Sequence, residues 1–418
     1  MQLREKEIDI IEGKYGRGPQ RCMEILTAVG ECYDAERMVP VNSVHIAGNY
    51  GNIRDGGLQW LEDLVRDGGR VKVFTTKNPE MFDFEDADEL PVPEIYREKQ
   101  KKMDDVLRAL GVTLTYSCHH YLVGNVPRFG DHIAWASSGS GAYANSIIGA
   151  RSNRDGDHTV IAAAVTGVIP EYGLHLSHNR KGQVIVKTDN LNIADYNHAD
   201  FQAMAWQLGK KVRDRIPVFV DLPPDIVIQN LKAILYTLTV TGAVGLVHFV
   251  GVTPEAPTIE AACGSDAGSL EKISITQEDV EQAYREISSS SDEKVDLVIF
   301  GCPQCSIQEI GEIVELLDGK KIHSETQLWI CTSSWVKTLC KRMGYLEKIK
   351  AAGGRIVADI GAADGPHIYL RPQGVRVMAI SSARGSYYAH NSYKMETWFG
   401  STKACVQAAI SGKWRGYR

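Results

Sequence analysis

The sequence predicts a multi-lobed, three-layer α/β protein with mostly parallel sheets, and three observations carry that prediction. Apolar runs of strand length alternate with amphipathic segments of helical length along most of the chain. Runs such as Leu297-Val298-Ile299-Phe300 are nearly continuous in apolar character, the pattern of strands covered on both faces. Several runs also empty into small and polar residues, where α/β proteins place ligands.

Taken in order, residues 3–38 have helical spacing interrupted at Gly13–Gly18, and Val41–Ile46 is a strand ending in Ala47-Gly48-Asn49-Tyr50-Gly51. A helix follows over Gly57–Arg66, and Arg70–Thr76 is a strand ending in Asn78-Pro79. Residues 94–110 form a helix and Val112–Thr115 a strand that delivers Cys118. Val160–Val168 and Gly182–Lys187 read as further strands or packed elements, His198–Arg215 and Pro223–Thr237 as helices, and Gly245–Val250 as a strand. Gln277–Lys294 holds a helix and a polar linker at Ser288–Asp292. Beyond it come a strand at 295–300, a helix at Ile307–Leu317 with Glu309, Glu312 and Glu315 outward, and a strand at Leu328–Cys331. A helix at Val336–Ala352, strands at Arg355–Ala358 and Gly374–Ile380, and a closing helix at Thr402–Ser411 complete the pattern.

Composition narrows the function classes. The chain has 418 residues, 44% hydrophobic and 23% charged, an ordinary globular balance with enough length for more than one lobe. A formal net charge of −6 argues against a general nucleic-acid binder, which carries a basic stripe. The charged N-terminus is no signal peptide, and the most apolar region, Ala233–Val252, is broken by Thr, Gly and His, so no membrane span is expected. Nine scattered cysteines suit cytosolic thiols or metal ligands better than a disulfide framework, and a cytoplasmic location is expected.

Candidate chemistry concentrates between Cys118 and Gly156. A thiol beside two imidazoles opens the stretch, a Ser137-Ser138-Gly139-Ser140-Gly141 turn precedes a helix start expected at Asn145-Ser146, and Arg151 and Arg154 follow. Backbone N–H groups in such a turn suit an anion, and two arginines can grip a carboxylate or phosphate. The Gly139–Ala144 run half-matches a dinucleotide fingerprint, but Asp155 and Asp157 arrive too early for the ribose-binding acid. Asp359-Ile360-Gly361 resembles a methyltransferase turn, yet too little chain follows to build that sheet. Cys302-Pro303-Gln304-Cys305 has the form of a redox pair, but Cys118 and Cys302, each just after a strand, also read as distant ligands of one metal or iron–sulfur site. For either cysteine alone, a small buried hydrophobe is the competing reading.

Cys118 with Tyr121-Leu122, Ala134-Trp135, Ala144-Asn145-Ser146, Gly149-Ala150-Arg151, Asn153-Arg154, Gly173-Leu174-His175-Leu176, Thr253–Ala256, Asn78-Pro79 and Gly301-Cys302-Pro303, in this spacing, resemble the aconitase X family over nearly the whole chain. The resemblance implies α/β lobes, divided at about 1–116, 117–290 and 291–418, and a large subunit whose small swivelling domain is a separate chain. It implies a metal-assisted hydro-lyase that removes water from a small hydroxy acid such as cis-3-hydroxyproline or phosphomevalonate. It places substrate contacts at Gly48, Asn49, Tyr50, Asn78 and Pro79, catalytic groups at Ser137, Ser138 and Arg384, and cluster ligands at Cys118 and Cys302. Arg151 and Arg154 are further candidates for the anionic group.

Four positions depart from the family pattern. Gly361 stands where a third cysteine belongs, Ser137 where Glu is usual, Gln304 where His is frequent, and Arg384 where Lys is usual. Glycine offers a metal no side chain, so Cys305, Asp359, Asp364 and His119 become candidate replacement ligands. The cofactor expectation is therefore an iron–sulfur cluster or a mononuclear iron or zinc ion. A catalytically silent subunit, or a metal enzyme of altered reaction in the same pocket, are the alternatives.

Overall fold

The computed structural model describes residues 1–363 and 365–418, apart from the side chain of residue 266. Its strands fall into successive groups along the chain. β1 (Met38–Pro40) pairs antiparallel with β5 (Val168–Pro170), while β2 (Ser43–Ile46), β3 (Phe74–Lys77) and β4 (Ala134–Trp135) form a parallel sheet in the order β3-β2-β4. β6 (Val184–Lys187), β7 (Pro217–Phe219), β8 (His248–Phe249) and β9 (Lys272–Ser274) form a second parallel sheet, β8-β7-β6-β9. β10 (Leu297–Phe300), β11 (Gln327–Thr332), β12 (Arg355–Ala358), β13 (Val377–Ile380) and β14 (Glu396–Phe399) form a third, β12-β11-β10-β13-β14, again all parallel.

These orders position the site. In a doubly wound sheet the strand order reverses beside the first strand, and helices leave that point on opposite faces, opening a crevice at the strand's carboxyl end. In the third sheet the reversal lies between β10 and β13, and β10 ends at Gly301-Cys302. In the first it lies at β2, which ends at Ala47-Gly48-Asn49. Every residue of β10 is buried, as its unbroken apolar run predicts, because helices cover both faces.

The structure corrects several elements. Val160–Val168 is mostly a helix, Asp157–Thr166, which is apolar on all sides because its residues from Val160 onward are buried. Val112–Thr115 contributes only an isolated Thr76–Thr113 bridge, so it is an edge contact and not a strand. Ser138–Tyr143 is already helical and passes into a π-turn at Ala144–Ile148, which moves the helix start forward from Asn145. Val336–Ala352 is two helices, Ser334–Arg342 and Tyr345–Ala352, broken at Gly344, whose φ of +70° ends the first. The helix Ala383–Tyr393 and β14 were not anticipated. β4, beyond residue 116, pairs in parallel with β2 in the first sheet. Ser289 bonds to Thr397 and ties the expected linker to β14. Among the described residues, no helix is long and apolar enough to cross a membrane.

Candidate active site

Loops from the first and third sheets meet at the ends of β3, β10 and β12. The Glu80 N–H donates to Asp359 O over 2.7 Å, and the Ser117 N–H to Lys77 O over 3.2 Å, so loops 78–81, 116–119 and 359–361 are laced together. Gln304 is the knot between them. Its backbone N–H donates to Cys118 Sγ over 3.2 Å and its Oε1 accepts the Cys118 N–H over 3.3 Å. Its Nε2 lies 3.1 Å from Tyr116 O, 3.0 Å from Thr332 O and 3.1 Å from Ile360 O. Cys302 is two residues away, which holds its α-carbon within about 7 Å of that of Gln304. Cys118 and Cys302, 184 positions apart in sequence, are therefore brought near each other in space. Gln304→Ala removes a fully buried carboxamide from three carbonyls, and an expected loss of about 3 kcal/mol should appear as an earlier denaturant midpoint.

Other candidate residues assemble on the same centre. Arg384 Nη1 reaches Ser138 Oγ at 3.5 Å, and its guanidinium lies over the rings of Tyr236 and Tyr388. The Tyr236 hydroxyl donates to Cys118 O over 3.2 Å. The Ser382 hydroxyl donates to Cys302 O at the base of the helix that carries Arg384. Arg154 approaches from behind, donating to Thr239 O over 3.2 Å with Arg384 and Tyr388 as neighbours. Ser137 is buried and serves as N-cap of Ser138–Tyr143, accepting the Gly141 N–H at its carbonyl.

The substrate positions on the first sheet are partly engaged already. Asn49 caps its helix by accepting the Asn52 N–H, and Asn78 Oδ1 lies 3.0 Å from His45 Nε2. Tyr50 turns its hydroxyl to Asp55, Pro79 offers its carbonyl to Asn49, and Gly48 packs against Ile53 and Asp157. Arg151 is not gathered with Arg154: its guanidinium donates to His175 O and Ser177 Oγ, each at 2.8 Å, across the lobe. Arg151 and Arg154 therefore bond to different partners, His175 and Ser177 for the first and Thr239 for the second.

A cavity of about 720 Å³ opens between the second and third sheets, with Cys302, Pro303 and Cys305 in its wall. Two of its groups were missed by sequence reasoning. Lys232, buried beside the apolar run Ala233–Leu235 on the helix Ile228–Thr241, reaches Glu309 Oε1 at 3.2 Å and Oε2 at 3.0 Å. Glu309 does not point outward as expected, because Lys232 and the Ser306 N–H draw its carboxylate in. A lysine inside an apolar helical run was the available signal, since an unpaired charge there is costly.

The family now follows from fold and site together. The domain models "Aconitase X first domain", "second domain" and "third domain" match residues 1–178, 182–285 and 295–411. The chain belongs to the aconitase X family. It is 35% identical to the phosphomevalonate dehydratase large subunit of Methanocaldococcus jannaschii over 97% of this chain and 100% of that protein. It is 30% identical to the cis-3-hydroxy-L-proline dehydratase of Pseudomonas aeruginosa over 97% of this chain and 69% of that protein. The crystal structure of Thermococcus kodakaraensis aconitase X in its holo-form superposes with a TM-score of 0.87 at 33% identity, covering 98% of this chain and all of that one.

The family implies a metal or iron–sulfur cofactor, and the residues here can be tested against it. Cys118 and Cys302 are in place, but Gly361 supplies no ligand and the Gln304 carboxamide reaches the Ile360 carbonyl beside it. Asp359 turns away, its Oδ1 accepting the Ser334 N–H over 2.7 Å. Cys305 is buried, which drives its thiol well above the ordinary range and disfavours the thiolate a metal needs. Asp364 lies outside the described residues. Among the described residues no three His, Cys, Asp or Glu side chains converge on one point. The donor set does not fit a cluster held by three thiolates.

Buried ionisable groups give a pH prediction. Burial lowers His45, His119, His175 and His367 to about 3, so their contribution to stability is complete above pH 6.5 and is lost as pH falls towards 3. Burial raises Glu80 to about 8 and Asp359 to about 7, so their contribution is lost as pH rises through those values. Denaturant midpoints should therefore peak near neutrality and fall on both sides.

Proposed function

We propose that this chain is a hydro-lyase removing water from a small hydroxy acid, and that it works as a large subunit with a small partner. The observation that carries the reading is the convergence of Cys118, Cys302, Ser138 and Arg384 on one centre, beside a cavity at the switch point of the third sheet. The chain is 35% identical to the relative named a phosphomevalonate dehydratase large subunit and 30% identical to the one named a cis-3-hydroxy-L-proline dehydratase. A phosphorylated hydroxy acid is the favoured substrate, and the cationic pair Arg154 and Arg384 suits an anionic group. Two thiols would hold a mononuclear iron or zinc ion more readily than a cluster, because every iron of a cluster needs its own ligand.

The altered donor set favours one second reading, a divergent subunit that binds the acid without turning it over. The test is to supply phosphomevalonate and cis-3-hydroxyproline separately, with a small subunit co-expressed, and to follow loss of one water by mass spectrometry. Turnover of phosphomevalonate supports the dehydratase. Binding of either acid without turnover supports the silent subunit.

A further inference from the structure

Where cysteines from distant loops hold an iron–sulfur cluster, the metal joins the loops, and assembly of the site is coupled to loading. Here the loops that would supply such ligands are joined to one another directly. The segment around Gly361 is held from three sides. The Asp359 N–H donates to Thr332 O over 2.7 Å and Asp359 O accepts the Glu80 N–H over 2.7 Å. The Ala362 N–H donates to Gly301 O over 3.0 Å, which stitches this segment to the exit of β10. Cys118 is engaged along its length: its N–H and its thiol face Gln304 Oε1 at 3.3 and 4.0 Å, its Sγ accepts the Gln304 N–H, and its carbonyl accepts the Tyr236 hydroxyl.

Gln304 stands at the meeting point, 1% exposed. A carboxamide offers two N–H donors and an accepting oxygen without a charge. Its Nε2 faces the carbonyls of Tyr116, Thr332 and Ile360 at 3.0–3.1 Å, while its oxygen takes the Cys118 N–H. A carboxylate in that place would repel three carbonyls, and an apolar side chain would leave them buried without a donor, which is costly. The bond to Ile360 O ends on the residue before Gly361, so the position that offers no metal ligand is reached by the carboxamide through its neighbour.

We infer that Gln304 takes the structural place of an iron–sulfur cluster. Its carboxamide closes the frame between segments 116–119, 301–305 and 359–362, and the chain keeps these loops assembled without a cluster. Gln304 is a positioning residue: it sets where Cys118 and the Asp359–Ala362 segment stand relative to Cys302 and touches no reacting atom. The inference concerns the frame and is independent of the dehydratase reading. A single ion at the thiols would be an addition to a frame already closed.

The experiment uses the full chain, purified without oxygen and divided in two. One portion is incubated with ferrous iron and sulfide, the other with a chelator. Acid-labile sulfide separates a cluster from a lone ion, and amide hydrogen exchange reads the loops. The wild type should hold no stoichiometric sulfide, and segments 116–119, 301–305 and 359–362 should exchange at rates within about twofold in the two portions. Gln304→Ala should speed exchange at least about tenfold in all three segments, with the strands of the second sheet unchanged as a control for global unfolding. Stoichiometric sulfide in the wild type, or loops that become protected only after iron is added, would overturn the inference. Acceleration confined to 301–305, or none, in a folded Gln304→Ala would overturn it as well. The two wild-type measurements decide the matter even where the alanine variant does not fold. None of these readouts uses turnover, so their failure leaves the dehydratase reading to its own test.

Discussion

Replacing Gly301 with alanine is expected to abolish activity and to destabilise the third lobe by about 3–5 kcal/mol. Gly301 has φ of +111°, a region that L side chains rarely adopt. A Cβ there would stand 2.3 Å from Cys331 O and 2.8 Å from Cys331 Cβ. The obstacle is backbone, and it cannot yield cheaply because Cys331 O accepts the Cys305 N–H over 2.9 Å at the entrance to the next helix. Relief must come by spreading β10 from β11 or by displacing Cys302, and either disperses the loops knotted by Gln304. Denaturant unfolding and turnover of the same preparation check the prediction. Activity within about twofold of wild type would show that the exit of β10 tolerates the change.

The second large effect is expected at Lys77. Lys77 and Glu80 are both fully buried, with Nζ 2.7 Å from Oε1, next to the loops that carry Asn78 and Asp359. Lys77→Met leaves a buried carboxylate without its cation, a loss of about 3–5 kcal/mol when the charge persists. Proton uptake limits the damage, because burial already raises Glu80 to about 8 with Lys77 present. The variant should therefore be less harmed at pH 6 than at pH 9. Lys77→Met combined with Glu80→Leu should recover most of the loss, since replacing both members of a buried pair by apolar groups is often neutral. Equal destabilisation at both pH values would mean that Glu80 does not carry the penalty.

Much of the architecture was legible because parallel strands buried on both faces leave long apolar runs, as in Leu297–Phe300, and because helix boundaries such as those of Thr402–Ser411 carry strong caps. Legibility failed where tertiary burial overrode periodicity. Asp157–Thr166 is buried all round from Val160 onward, so it carries no amphipathic stripe and could not be told from a strand. The site was legible in part: Cys118, Cys302, Ser138 and Arg384 are brought together, but Arg151 is taken by His175 and Ser177. The pairing of Lys232 with Glu309 was not legible, although the lysine stands out in its apolar run, because it depends on which helices face each other across two sheets. Gln304 was noticed as a departure, yet its function as the bond between three loops exists only in the folded chain.

The central claim is that the substrate acid binds in the cavity walled by Cys302, and thiol alkylation reads this most directly. Cys302 is partly exposed in that wall, while Cys32 is exposed at the end of a remote helix and serves as an internal control. The protein, freed of metal by chelation, is treated with iodoacetamide with and without phosphomevalonate, and modification is mapped by peptide mass spectrometry. Slower modification of Cys302 in the presence of the acid, with Cys32 unchanged, is the predicted result. Saturation binding of phosphomevalonate that leaves the Cys302 rate unaltered would contradict it and place the acid elsewhere.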